Sequence, residues 1–125
     1  MSQPYNIGMN AQESLYISFE RERLLRSYMP SNEQAEALAA FFAVCADPTR
    51  VKILSALALG DMCVGDIAMV VGIHQTTASH QLKLLKDKGM VTCRKIGKTS
   101  YYSLSDPAIE SVLNVGTERV FTQGA

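Results

Sequence analysis

No stretch of this chain is apolar for long enough to cross a bilayer. The run through Leu38 to Ala46 falls far short of the roughly 20 residues such a helix needs. The N-terminus lacks a basic start followed by an apolar stretch, so no secretory signal is expected. Cysteine is scarce. Cys45, Cys63 and Cys93 are odd in number and far apart, which excludes a disulfide framework and points to reduced thiols in the cytosol. Net charge is absent as well: twelve Lys plus Arg balance twelve Asp plus Glu, so the whole-chain charge points to neither a nucleic-acid nor an acidic partner. There is no repeat and no low-complexity segment. What is present is ordinary globular composition, 47% hydrophobic and 19% charged, in 125 residues, enough for one domain with at most an arm. Membrane protein, secreted miniprotein and collagen-like fibre are excluded.

The neutral total hides a polarity. Residues 1–47 carry six acids (Glu13, Glu20, Glu22, Glu33, Glu36, Asp47) against three bases (Arg21, Arg23, Arg26). Residues 83–98 carry Lys83, Lys86, Lys88, Arg94, Lys95 and Lys98 against Asp87 alone. A surplus of five positive charges in sixteen residues is a local electrostatic footprint that the whole-chain balance averages away.

Periodicity divides the chain into short elements. Pro4 and Gly8 mark a loose start, and a helical pattern with Ile17, Leu24, Leu25 and Tyr28 on one side covers about Ala11 to Met29, where Pro30 ends it. Ser31 with Gln34 forms a capping box, and Leu38, Phe41, Phe42 and Cys45 make the next helix amphipathic. Asp47-Pro48 opens a third helix with Val51, Leu54, Leu57 and Ala58 as its expected buried stripe and Gly60 at its end. Val64, Ile67, Ala68 and Val71 form a short helix closed by Gly72. A further helix starts near Gln75, with Ala78, Leu82 and Leu85 inward and Gly89 as terminator. The period then changes to two. Met90 to Ile96 and Thr99 to Leu104 flank Gly97-Lys98 as a hairpin, and Asp106-Pro107 starts a last helix over 107–121 with Ile109, Val112, Leu113, Gly116 and Val120 on one stripe.

A short helix, a tight turn and a second helix make a helix-turn-helix, and the following hairpin makes it a winged one. With Ala78, Leu82 and Leu85 inward, the opposite stripe of the second helix holds Thr76, Ser79, His80 and Lys83, with Gln75 and Thr77 beside it at the helix start. These polar side chains suit base edges and phosphates in a major groove. Arg94, Lys95 and Lys98 on the hairpin suit the flanking phosphates. The fold class expected is mainly α with a small β-hairpin.

The residues Asp47-Pro48-Thr49-Arg50, Ile53-Leu54, Ser79-His80-Gln81-Leu82, Leu85, Gly89 and Tyr101-Tyr102-Ser103-Leu104 together resemble the winged-helix repressors of the ArsR/SmtB family over about residues 31 to 118. The resemblance implies a homodimeric bacterial repressor, cytoplasmic and nucleoid-associated, that binds a near-palindromic double-stranded operator and releases it when an effector binds. It also implies a dimer interface built by the first and last helices, which suits the apolar stripes of 11–29 and 107–121. On this basis residues 1–30 are an arm and dimerisation helix, 31–118 the DNA-binding domain and 119–125 a tail.

Members of that family often sense metals, and some sense oxidants or sulfur species through thiols. The segment Asp61 to Ala68 matches the family's third-helix metal motif at Cys63 and Asp66, which implies a soft or borderline divalent ion as effector. Spacing of three sets that thiolate and carboxylate on one helix face. Arsenic- and cadmium-sensing members usually carry a second cysteine where Gly65 stands, and residues 1–30 hold neither cysteine nor histidine, leaving two ligands where a stable site wants four. The family's last-helix site has its Asp at Asp106, but the position two further on is Ala108 and no histidine follows, so Asp106 reads as a helix cap. His80 reads as a groove contact, His74 as an exposed turn residue, and Cys45 and Cys93 as packing.

Two other readings compete with the metal-released repressor: a metal-independent thiol or redox sensor of the same fold, and a winged-helix module for a protein partner. The basic stretch weighs against the latter. Enzymatic function is not expected, since the chain has no Gly-rich phosphate loop, metalloprotease helix motif or nucleophile elbow.

Overall fold

The computed structural model describes residues 17–123, so the expected loose arm and residues 11–16 of the first expected helix lie outside the described residues. The elements are α1 Phe19–Tyr28, α2 Asn32–Cys45, α3 Pro48–Leu59, β1 Met62–Cys63, α4 Val64–Val71, α5 Gln75–Asp87, β2 Val91–Ile96, β3 Thr99–Leu104 and α6 Pro107–Gln123. The chain divides into two units between Leu38 and Ala39, within α2.

In the first unit, α1 starts later than the apolar pattern predicts. Ser18 is extended, and its Oγ accepts from the Arg21 amide at 3.1 Å, so the hydroxyl caps the helix at Phe19. Met29 is extended before Pro30, as the proline requires. At the start of α2 the capping box closes reciprocally: the Gln34 amide donates to Ser31 Oγ at 3.1 Å and the Ser31 amide to Gln34 Oε1 at 2.9 Å.

The second unit is organised around α3. Asp47 Oδ2 caps α3 by accepting from the Arg50 amide at 3.0 Å, and Arg50 Nε donates to the Val44 carbonyl at 2.6 Å, satisfying the end of α2. One motif thus fixes the corner between two helices. Helix α3 packs against α4, α5, α6 and β3. It therefore buries Ile53 and Ala56 as well as the expected Leu54 and Leu57, while the expected Val51 is exposed. A single stripe underestimates a helix covered on several sides.

Around it lie Ile67 of α4, Leu82 and Leu85 of α5, Met90, Val91 of β2 and Ile109 of α6, all buried, with Tyr102, Leu104 and Leu113 packed against them. The sheet has three antiparallel strands in the order β1-β3-β2. The hairpin turns at Gly97-Lys98 as expected, its first strand starting at Val91, one residue after the expected Met90; Val91 lies opposite Leu104 and Ile96 opposite Thr99, with Gly97 at φ 64 in its tip. The two-residue β1 is unexpected. It pairs Met62 with Tyr102 and Cys63 with Tyr101, and is too short for any period to announce it. Helix α6 ends at Gln123, two residues past the expected 121, and Asp106 caps it by accepting from the Ala108 amide at 2.8 Å.

Leu82 is fully buried and ties α5 to the core. Leu82→Ala should lower unfolding free energy by roughly 2–5 kcal/mol, read as a fall in the urea midpoint.

Candidate nucleic-acid interface

Helix α4, a turn and α5 form the helix-turn-helix. Gly72 adopts the left-handed conformation (φ 81, ψ 40), and the Gly72 and Ile73 amides both return to the Ala68 carbonyl, at 2.9 and 3.0 Å. A Cβ at Gly72 would meet no neighbour, so the need for glycine lies in the backbone angle. Ile73 then packs on the core, which turns the chain directly into α5.

The rotation of α5 is as the sequence predicts: Ala78, Leu82 and Leu85 are buried, and Gln75, Thr76, Thr77, Ser79, His80 and Lys83 are exposed. His74, exposed as expected, occupies the N-cap position without a side-chain cap hydrogen bond. The first-turn amides of α5 are therefore left to solvent or to an anion such as a phosphate.

In the wing, Lys95 and Lys98 are exposed and have no ion-pair partner among the described residues. Arg94 is different. Its Nη1 donates to Asp61 Oδ2 at 2.8 Å, and Ser103 Oγ lies 3.4 Å from the same nitrogen. The hydrogen bond from Arg94, with Ser103 adding to it, holds the Asp61 carboxyl below its ordinary range. This pairing was not visible in the sequence. It joins residues 33 apart through β1, the strand that periodicity missed.

Cys63 and Asp66 keep their spacing of three as the N-cap residue and the third residue of α4. Cys63 belongs to β1 and stands at the N-cap of α4 with extended backbone, half-buried, and Asp66 is exposed in the first turn. Among the described residues no three His, Cys, Asp or Glu side chains gather as a metal site. Cys93 is half-buried opposite Tyr102, whose phenol is pushed up by burial and by the neighbouring thiol. Cys45 packs against the core, and burial pushes its thiol up against a smaller downward pull from Arg50.

A reading helix seated on a core, with a basic hairpin beside it, defines the class of winged helix-turn-helix DNA-binding proteins. Residues 47–92 match the family described as bacterial regulatory protein, arsR family. The transcriptional repressor SmtB homolog of Synechocystis sp. is 37% identical over 90 residues, which cover 72% of this chain and 68% of the relative. The crystal structure of the AntR antimony-specific transcriptional repressor superposes with a TM-score of 0.70 at 29% identity, covering 75% of this chain and 86% of AntR. The homodimeric winged helix-turn-helix DNA-binding domain of Mb0332 from Mycobacterium bovis gives a TM-score of 0.63 at 29% identity, covering 74% and 93%. The chain belongs to the arsR family of bacterial regulatory proteins. It is a DNA-binding transcriptional regulator and not an enzyme.

Proposed function

We propose that this regulator is a cytoplasmic homodimeric repressor. It reads a near-palindromic operator with Gln75, Thr76, Thr77, Ser79, His80 and Lys83 of α5, holds flanking phosphates with Lys95, Lys98 and Arg94 of the wing, and releases DNA when an effector reaches Cys63. The observation that carries this reading is the orientation of α5: three buried side chains leave its polar stripe outward beside the wing cations. The division into an arm (1–30), a DNA-binding domain (31–118) and a tail (119–125) belongs to the same proposal.

Dimerisation is supported by apolar surface that the chain leaves uncovered. Helix α6 exposes Val112, Val115, Val120 and Phe121, α2 exposes Phe42, and α1 exposes Phe19, Leu24, Leu25 and Tyr28. The likeness to the homodimeric domain of Mb0332 supports it too. Isologous burial of these faces brings two α5 helices to one side of the DNA.

For the effector, the likeness to an antimony-specific repressor supports a metal ion. Cys63 and Asp66 supply two donors of the four a stable site wants, and Asp61 is engaged by Arg94. The remaining donors would be water or a carboxylate of the partner's arm such as Glu20, since Glu22 is engaged by Arg26. Helix α4 begins directly after Cys63 and packs against α5, so displacement at that side chain is passed to the reading helix. A useful switch needs roughly 1–3 kcal/mol of coupling between the two sites.

Three measurements test the reading. Replacing Ser79 or His80 by Ala should cost roughly 1–3 kcal/mol on the operator and relax sequence choice, whereas Lys98→Gln should weaken binding to all DNA and flatten its salt dependence. If both kinds of variant change the salt dependence alone, α5 is not the reading helix. Sedimentation at micromolar concentration should give twice the chain mass of 13.7 kDa, and a monomer there refutes the palindromic operator. Cys63→Ser should keep operator affinity but lose release across a panel of divalent ions and oxidants. A normal response would move the effector site away from Cys63, with Cys45 or Cys93 next in line.

A further inference from the structure

The ion pair between Asp61 and Arg94 serves neither the core nor the outward stripe of α5. It spans the whole sheet. On the central strand β3, Tyr101 lies opposite Cys63 on one side and Arg94 on the other. Directly opposed residues of an antiparallel ladder share a face, so Arg94, Tyr101 and Cys63 project to the same side of the sheet. Asp61 stands just before β1, and its carboxylate reaches across β3 to the guanidinium on the far strand at 2.8 Å.

Both side chains remain largely in water, 56% exposed for Arg94 and 42% for Asp61. A pair so exposed adds little to folding stability. Its effect is on what the wing offers to DNA. A guanidinium is a planar fork that fits carboxylate and phosphate in the same way. The Asp61 carboxylate thus occupies a donor that a backbone phosphate would take. Lys95 and Lys98 of the same hairpin have no such partner among the described residues. The capture is confined to the one arginine of the wing.

We propose that Asp61 is an internal competitor for DNA: it holds Arg94 in the free protein and must give it up before Arg94 engages a backbone phosphate. This rests on the assignment of the wing to phosphate contact made above. Phosphate contacts carry no sequence information, so the competition acts alike on operator and other DNA. Asp61 is therefore a positioning residue. It sets the wing's affinity for DNA without touching DNA.

The test is equilibrium binding of the full chain to a mixed-sequence duplex of about three helical turns (~30 base pairs) over a salt series. The proteins compared are the native chain, Asp61→Asn, Arg94→Gln, the double variant Asp61→Asn/Arg94→Gln, and Lys98→Gln. Asp61→Asn should tighten binding about two- to fivefold, the scale of an exposed ion pair, and the gain should vanish in the Arg94→Gln background. An equal gain in both backgrounds would mean that removing any acid near DNA suffices, and it overturns the proposal. Unchanged or weaker binding by Asp61→Asn overturns it too. Lys98→Gln reports on the wing alone: a loss of affinity with a shallower salt slope keeps the wing on DNA even where Asp61 proves irrelevant. No effect from either Lys98→Gln or Arg94→Gln removes the wing assignment and the competition together.

Discussion

The burial of Ala78, Leu82 and Leu85 is the contact on which the rest of the molecule depends. These three side chains have no exposed surface, and together they fix the rotation of α5 about its own axis. Successive residues of a helix are separated by about 100°. A shift of one position would bring Ser79 or Lys83 into the core and leave a polar group there without a partner, at a cost of about 1–3 kcal/mol or more. The polar stripe thus faces outward because the apolar stripe cannot. Recognition and stability are two sides of one helix.

The same anchor sets the wing. The Met90 amide donates to the Leu85 carbonyl at 2.8 Å around Gly89, which sits at φ 76, and Met90 and Val91 then enter the core. Ser105 closes the other end of the hairpin, its amide donating to the Met90 carbonyl and its hydroxyl to the Gly89 carbonyl. The strands therefore leave α5 from a fixed point at both ends. Only the tip, with Gly97 and Lys98, projects beyond the paired residues. In the proposed complex, a hairpin held in this way needs no further ordering of its backbone beside α5, which avoids part of the entropy cost of binding.

Most of this was legible in the sequence because it rests on local chemistry. Ser31 with Gln34, Asp47 with Pro48, Gly72 and Asp106 each declare a helix end through a hydrogen bond or a backbone angle that neighbouring residues supply. What was not legible depends on distant chain. The second buried side of α3 exists because four other elements cover that helix. Cys63 falls in a two-residue strand that has no period of its own, and its pairing with β3 is invisible until the hairpin is in place. The wing charge was overcounted for the same reason. Arg94 and Asp61 belong to different segments, and only the sheet brings them within 2.8 Å.

These limits bear on how a chain of zero net charge holds DNA at all. Long-range attraction is weak, so on the proposed reading affinity rests on the local surplus along α5 and the wing, less the charge that Asp61 holds at Arg94. One α5 offers a handful of outward side chains, and a good bidentate contact discriminates by about 1–3 kcal/mol. Operator recognition in a genome needs about 4–10 kcal/mol over non-specific binding. A single copy reaches that range only if nearly every outward side chain makes an ideal contact. Two copies reach it with ordinary ones. The exposed Val115, Val120 and Phe121 of α6 then have a physical role. In the proposed homodimer, burial of this apolar surface between copies would set the spacing of two reading helices, and a near-palindromic operator would follow from that spacing.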